Sequence, residues 1–411
     1  MKLSPLTLAA LFATVVFTVL PACKSDAPSN HDKWVEDADQ RWNTVKSSIA
    51  IQMAEDQFNG GQLGLAQKTI EEAMVKDMEN PELWLLGGRI SLEKSELETA
   101  YQRLAKSIEY GEDKKDYSQK KKARPYYFQG IIDQRWQRFD SAKAKYSLAY
   151  ERDPENVAYF LAKIEMYVHL DQLDQATSEL ESKTTYFDQN ATVRALLGHV
   201  YRKKGNHDKA ALWFKQASML APEDMKLKEE VARSQMQVGR YDEASRGFKE
   251  LIQSEYGSKR TDLYRLLAEC YTKAGKLREA KQQYNDLTNL DRTSVHDWSK
   301  LGELSYRLGD EGTALQAANR LINLAPDDHR GYLLAGMVWN KRDRLDRALS
   351  MFDRAAELAS NDTTPLILRG IALQKNGRPA AAADAYKQAL SIDPENKRAQ
   401  HLLTSVTEGL R

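Results

Sequence analysis

Two cysteines and seven histidines hold most of the scope for chemistry in this 411-residue sequence, and their placement narrows it quickly. Cys23 ends an uncharged run, residues 3–22 (LSPLTLAALFATVVFTVLPA), that follows Lys2. A short positive segment before an apolar core is the pattern of an export signal, and a cysteine at its end offers a thiol for acylation at a membrane. Once Cys23 is modified, Cys270 has no partner, and no CxxC pair exists, so Cys270 reads as a small buried packing residue. His169 and His199, with Glu165 one helical turn before His169, could in principle hold a metal. Solvated histidines account for the same residues, and we assign no metal. GxGxxG, GxxxxGK[ST], HExxH and GxSxG are absent, so the chain offers no phosphate cradle, zincin site or nucleophile elbow. The expectation is no catalytic residue, no cofactor and no small-molecule substrate.

Composition points the same way. Lys+Arg number 60 against 59 Asp+Glu, which lacks the basic excess that releases counterions from nucleic-acid phosphates. With 42% hydrophobic residues and only 21 Gly and 11 Pro, the chain is neither disordered nor collagen-like. Leu20-Pro21-Ala22-Cys23 resembles the end of a bacterial lipoprotein signal: an aliphatic residue, a small residue, then the cysteine to be acylated. That resemblance implies removal of residues 1–22, lipid attachment at Cys23 and a polar tether over 23–32. Lys24, where Asp would retain an enterobacterial lipoprotein in the inner membrane, implies the periplasmic face of the outer membrane. An inner-membrane anchor or a secreted product would share the same apolar run.

The elements that must position any site come from internal repetition. Leu197-Gly198-x-x-Tyr201, Ala210, Phe214, Ala217 and Pro222 form a phrase that recurs along the chain. Registering on its alanine gives Ala66, Ala100, Ala142, Ala176, Ala210, Ala244, Ala280, Ala314, Ala348 and Ala382, at spacings of 34, 42, 34, 34, 34, 36, 34, 34 and 34. Twelve residues before these alanines stand Ala54, Gly88, Gly130, Ile164, Gly198, Ala232, Ala268, Gly302, Gly336 and Gly370. Four residues after them come large side chains such as Leu104, Tyr146, Phe214, Phe352 and Tyr386, with Ala318 the exception. Small opposite large is what close packing of two helices demands. Gly61, Gly205, Gly239, Gly275, Gly309 and Gly377 mark turns within the repeats, and Pro154, Pro222, Pro326 and Pro394 mark the ends of second helices.

This phrase resembles the tetratricopeptide repeat. The resemblance implies an all-α fold, a right-handed α-α superhelix of about ten helix pairs. The expected repeats span 47–80, 81–122, 123–156, 157–190, 191–224, 225–260, 261–294, 295–328, 329–362 and 363–394. Apolar residues at helical spacing (Trp34, Val35, Ala38, Trp42, Val45, and Ala399, Leu402, Leu403, Val406, Leu410) predict an opening helix over 33–46 and a closing helix over 395–411.

In that family the first helix of each pair lines a concave groove that binds other proteins. Mapped onto this register, the groove candidates are Arg89, Arg124, Tyr127, Arg135, His169, His199, Arg202, Arg233, Arg265, Tyr306 and Arg307. Arginine and tyrosine are enriched in binding hot spots, but Glu55, Glu82, Glu229, Glu230, Asp262 and Glu303 map to the same face, as a solvated mixed-charge surface would require. The 42-residue spacing inserts eight residues near Gly111–Lys122 (GEDKKDYSQKKK), read either as a solvated loop or longer helix, or as a contact for an anionic partner. The expected role is a non-enzymatic, membrane-anchored scaffold that supports assembly of a pilus, polysaccharide-export or envelope-biogenesis machine. The alternative is an adaptor that presents substrates to a periplasmic protease or wall hydrolase.

Overall fold

A computed structural model describes residues 30–408, so the expected signal over 1–22, Cys23 and the tether as far as residue 29 lie outside the described residues. Every described element is a helix. The described residues divide into two compact units, split between Met166 and Tyr167. The first holds α1 (Asn30–Asn59), α2 (Leu63–Met74), α3 (Pro81–Glu93), α4 (Leu97–Glu112), α5 (Gln119–Arg135), α6 (Phe139–Arg152) and most of α7 (Val157–His169). The second continues through α8 (Leu173–Lys183), α9 (Ala191–Lys203), α10 (His207–Leu220), α11 (Met225–Gln237), α12 (Tyr241–Gln253), α13 (Thr261–Lys273) and α14 (Leu277–Leu290). It ends with α15 (Val295–Arg307), α16 (Glu311–Leu324), α17 (His329–Lys341), α18 (Leu345–Leu358), α19 (Thr364–Lys375), α20 (Pro379–Ile392) and α21 (Lys397–Glu408).

One local device builds each pair. First helices tend to start on a polar cap: the side chains of Asn80, Asn190, Asp224 and Ser294 accept from backbone N–H groups two or three residues on, satisfying donors that the first turn leaves open. Each first helix then exits through a residue with positive φ, five positions before the registering alanine. Glycine fills it at Gly61, Gly205, Gly239, Gly275, Gly309 and Gly377, but Ser95, Gln137, Asp171 and Asp343 adopt the same conformation at φ 63, 59, 58 and 56°. The next N–H closes the turn on a carbonyl five residues back, as from Gln62 to Gln57 at 2.8 Å, Arg138 to Asp133 at 2.8 Å and Asn206 to Tyr201 at 2.9 Å. This is the six-to-one bond of a Schellman turn, and it reverses the chain onto the second helix.

The core repeats the small-against-large rule. A Cβ added at Gly130 would lie 2.5 Å from Tyr146, at Gly198 2.9 Å from Phe214, at Gly336 2.6 Å from Phe352 and at Gly370 2.3 Å from Tyr386. Ala318, too small to fill that space, is compensated from the next pair: at Gly302 the added Cβ would meet Leu334 at 2.3 Å. Cys270 is fully buried among Leu263, Leu267 and Phe248, and burial pushes its thiol up to about 12, so it is a packing residue.

Three boundaries differ from expectation. The opening helix over 33–46 and the first helix of the repeat at 47–80 are one helix, α1, which also takes in the last three residues of the expected tether. No glycine or proline interrupts residues 30–59, so nothing breaks the backbone ladder between them. The third pair begins at Gln119, not 123, because Ser118 caps the helix there by accepting from the Lys121 N–H. The eight inserted residues therefore lengthen α4 and α5 around a short loop. Finally, the closing helix expected from 395 begins at Lys397 (α21, Lys397–Glu408), and residues 409–411 lie outside the described residues.

Candidate binding face

Within each unit, first helices of successive pairs approach one another directly: α1 with α3 and α3 with α5 in the first unit, α15 with α17 and α17 with α19 in the second. Their facing side chains form the inner side of each stack.

In the first unit that side is built on an arginine between rings. Arg89 of α3 lies 5.1 Å from the Phe58 ring on α1 and 5.7 Å from the Phe128 ring on α5, with Glu55 of α1 at 3.5 Å. Burial and the nearby Arg124 pull its pKa down. Arg124 and Lys121 of α5 reach Glu82 of α3 at 3.6 and 3.0 Å. Tyr127 packs on Tyr159 and Tyr146 at centroid distances of 4.9 and 5.6 Å, and burial with Glu165 nearby raises its pKa. Arg135 is exposed and reaches toward the Leu92 carbonyl, at 3.5 Å. The inserted lysines are engaged inside the unit: Lys120 with Glu155, Lys121 with Glu82, and Lys122 donating to the Glu112 carbonyl at 2.6 Å. Glu112 itself accepts from Tyr126 and Arg152, both at 2.8 Å. The insertion is thus tied to its own unit, which favours the longer-helix reading.

In the second unit the inner side is a ladder of arginine and carboxylate. Arg202 of α9 pairs with Glu230 of α11. Arg233 of α11 holds Glu229 at 2.6 Å and reaches Asp262 of α13 at 3.3 Å. Arg265 of α13 grips Asp297 of α15 through two parallel bonds of 3.0 and 2.8 Å, the fork geometry that makes such pairs strong. Asp297 has no exposed surface. Glu229 also accepts from Tyr256 at 2.7 Å and from Arg260 at 2.5 Å. Burial opposes its ionisation, but the bonds from Arg260, Tyr256 and Arg233 outweigh it and hold the carboxyl at about 2.

His199 stands edge-on to Phe214 with Nδ1 2.8 Å from Arg202, and burial leads in drawing its pKa down. His169 is an exposed residue at the end of α7. Tyr306 is half-buried under Lys341, at 5.4 Å, and Arg307 is exposed, 4.0 Å from Glu303. Among the described residues no group of His, Cys, Asp and Glu could hold a metal ion.

The structure thus brings Arg202, Arg233 and Arg265 into one ladder with the acids that the sequence placed on the same face, and Arg89, Arg124 and Tyr127 into another cluster. Among the described residues Arg135 and Arg307 join neither, and His169 stands at the end of α7. Sequence reasoning missed Tyr256, Arg260 and Asp297. The 36-residue spacing between Ala244 and Ala280 signals the first two, which lie in the lengthened turn. Asp297 reads from sequence as the third residue after a Ser294 cap, a role it also fills at 3.3 Å. Beyond the ladder, the inner side opens into a cleft of about 390 Å³ bounded by Glu269, Lys273, Tyr284, His296, Lys300 and Glu303. Its lining carries charges of both signs, Glu269 and Glu303 with Lys273 and Lys300, which a polar polypeptide segment could complement.

Comparison with known proteins places these features. Family models for the tetratricopeptide repeat match residues 191–224, 299–363 and 364–396. DnaJ homolog subfamily C member 3 of Gallus gallus is 23% identical over 292 residues, 63% of this chain and 57% of that protein. Protein O-mannosyl-transferase TMTC1 of Homo sapiens is 22% identical over 205 residues, 49% of this chain and 23% of that protein. The chain therefore spans less than two thirds of either relative. Among solved structures, the C-terminal part of a TPR repeat-containing protein from Cytophaga hutchinsonii superposes with a TM-score of 0.48 at 16% identity, covering 58% of this chain and 98% of that one.

Proposed function

The chain is a tetratricopeptide-repeat protein, and from that premise we propose that it works as a non-catalytic scaffold of the bacterial envelope, tethered to the periplasmic face of the outer membrane by acylated Cys23. It binds a polar segment of a partner protein along the inner face of its helix stacks and so supports assembly of an envelope machine for pili, polysaccharide export or envelope biogenesis. The observation that carries the binding reading is the cleft between α13 and α15, framed by an ion-pair ladder that fixes the flanking side chains in advance. A surface ordered before the partner arrives loses less conformational freedom on binding. The export reading rests on the apolar run and Cys23.

Two experiments test this. Growth with a fatty-acid analogue should label the protein, and Cys23→Ala should abolish the label; a Cys23→Ala variant that still labels removes the anchor. Crosslinking in cells followed by mass spectrometry should recover stoichiometric components of one envelope assembly. Recovery of a hydrolase whose activity changes on adding the protein would replace the scaffold by the adaptor.

A further inference from the structure

The N-terminal half of α1 stands apart from the packing that surrounds the rest of the chain. Of the side chains described from Lys33 to Lys46, all but Asn43 are exposed. Packing begins only beyond them, where Ala50, Ile51, Ala54 and Phe58 enter the core with Ala66 and Leu83. On the opposite side of the helix runs an uncovered apolar line: Val35, Ala38, Trp42, Val45 and Ile49. Trp42 is 59% exposed, Ile49 55% and the flanking Trp34 75%.

The spacing of that line is 3, 4, 3 and 4 residues, the alternation of a two-stranded coiled-coil seam. A globular helix instead shows a broader stripe of period 3.6. Val35, Trp42 and Ile49 occupy the first core position of each heptad, and Ala38, Val45 and Gln52 the second. Beside the seam, Asp39 and Lys46 take equivalent flanking positions, and Arg41 lies on the other flank.

We infer that α1 is a self-association element, pairing antiparallel with α1 of a second copy of this chain. Charge selects the occupant and its direction. Antiparallel pairing sets Trp42 against Val45 of the second copy and Ala38 against Ile49, so large faces small. It also places Asp39 beside Lys46 on both sides of the two-fold axis. Parallel pairing would set Trp42 on Trp42 and bring Arg41 beside Lys46, like charge against like. A membrane surface is the poorer fit: over residues 30–50 there are four acids, Asp32, Glu36, Asp37 and Asp39, against Lys33, Arg41 and Lys46, where an interfacial helix carries a Lys/Arg-rich polar face. Because the seam lies on the side of α1 away from its own core, two copies can pair without either giving up a core contact.

Sedimentation of the full chain in density-matched detergent tests this, with thermal unfolding confirming that each variant keeps its array. The wild type should show a concentration-dependent monomer–dimer equilibrium. Lys46→Glu turns two attractive flanking pairs repulsive and should weaken the dimer roughly tenfold, and Asp39→Lys combined with Lys46→Glu should restore it. A dimer that tightens with Lys46→Glu would overturn the antiparallel pairing in favour of the parallel one. A chain that stays monomeric at every concentration overturns the inference. A monomer that binds phosphatidylethanolamine–phosphatidylglycerol vesicles and loses binding on Trp42→Glu overturns it too, and assigns the stripe to the membrane.

Discussion

The two units hold successive first helices together with a different balance of chemistry: the first adds an arginine between rings to the pairs of Arg124 and Lys121 with Glu82, whereas the second relies on a ladder of arginine and carboxylate. In the first, Arg89 lies between Phe58 and Phe128 and has one half-exposed carboxylate, Glu55, at 3.5 Å. In the second, arginines meet carboxylates from the next pair, and one of these, Asp297, is wholly buried. Guanidinium on ring gains from the ring's quadrupole and keeps its strength across pH. An ion pair needs an ionised carboxylate, and a buried one is costly to leave alone. The ring-packed arginine of the first unit should therefore tolerate acid and substitution better than the arginine–carboxylate ladder of the second.

Arg265→Ala is the sharpest way to break that contrast. It strands the Asp297 charge and should cost about 3–5 kcal/mol, whereas Arg89→Ala loses stacking worth about 0.5–2 kcal/mol. Denaturant unfolding of the full chain, followed by hydrogen exchange to resolve the units, measures both. Equal costs would erase the distinction.

The core should show no such contrast. Gly198→Leu in the second unit and Gly130→Leu in the first both drive a side chain into an aromatic ring, and each should cost about 1–3 kcal/mol. Melting temperatures check this, and an unchanged value for either variant would count against the helix register.

Acid should separate the units by a smaller margin. Glu229 is held at about 2 against an ordinary 4.5, and Asp310, bonded by Lys281 and Thr313, is also held at about 2. A folded pKa below the unfolded one means that the stabilisation is complete above about pH 4.5 and is lost as pH falls toward 2. Glu229→Gln should therefore lower stability at neutral pH and flatten the acid loss in the second unit. An unchanged slope would show that the ladder does not titrate as a structural element.

The smallest effect concerns turns. Gln137 adopts φ 59° where six equivalent positions carry glycine, so Gln137→Gly should stabilise the first unit by about 0.5–1 kcal/mol. A loss of stability would mean that the side chain contributes more than its backbone strain removes.

Much of this architecture is legible in the sequence because each pair restates it. Gly198 with Phe214 and Gly370 with Tyr386 are the same pair 172 residues apart, and that repetition reveals the helices, their turns and their packing. What repetition cannot carry is pairing across repeats. Arg265 and Asp297 are 32 residues apart, and a mapping of single positions onto a face collects arginines and acids without saying which are joined. The arginines therefore read either as hot spots or as part of a solvated mixed-charge face, whereas Arg202, Arg233 and Arg265 are held by neighbours. The left-handed turns at Ser95, Gln137, Asp171 and Asp343 were hidden for a related reason: only glycine announces such a turn by its identity. The continuity of α1 was obscured by the register itself, which begins a new element at residue 47 although no residue there stops a helix.

The most direct test of the central claim is site-specific photocrosslinking in cells from the cleft and from the outer helices. A photoreactive residue at Lys300, beside the cleft, should capture a partner polypeptide, whereas the same residue at Lys215 or Lys249 on the second helices α10 and α12, all three positions lying in the second unit, should not. Capture from the outer positions and none from Lys300 would contradict the inner face as the binding surface.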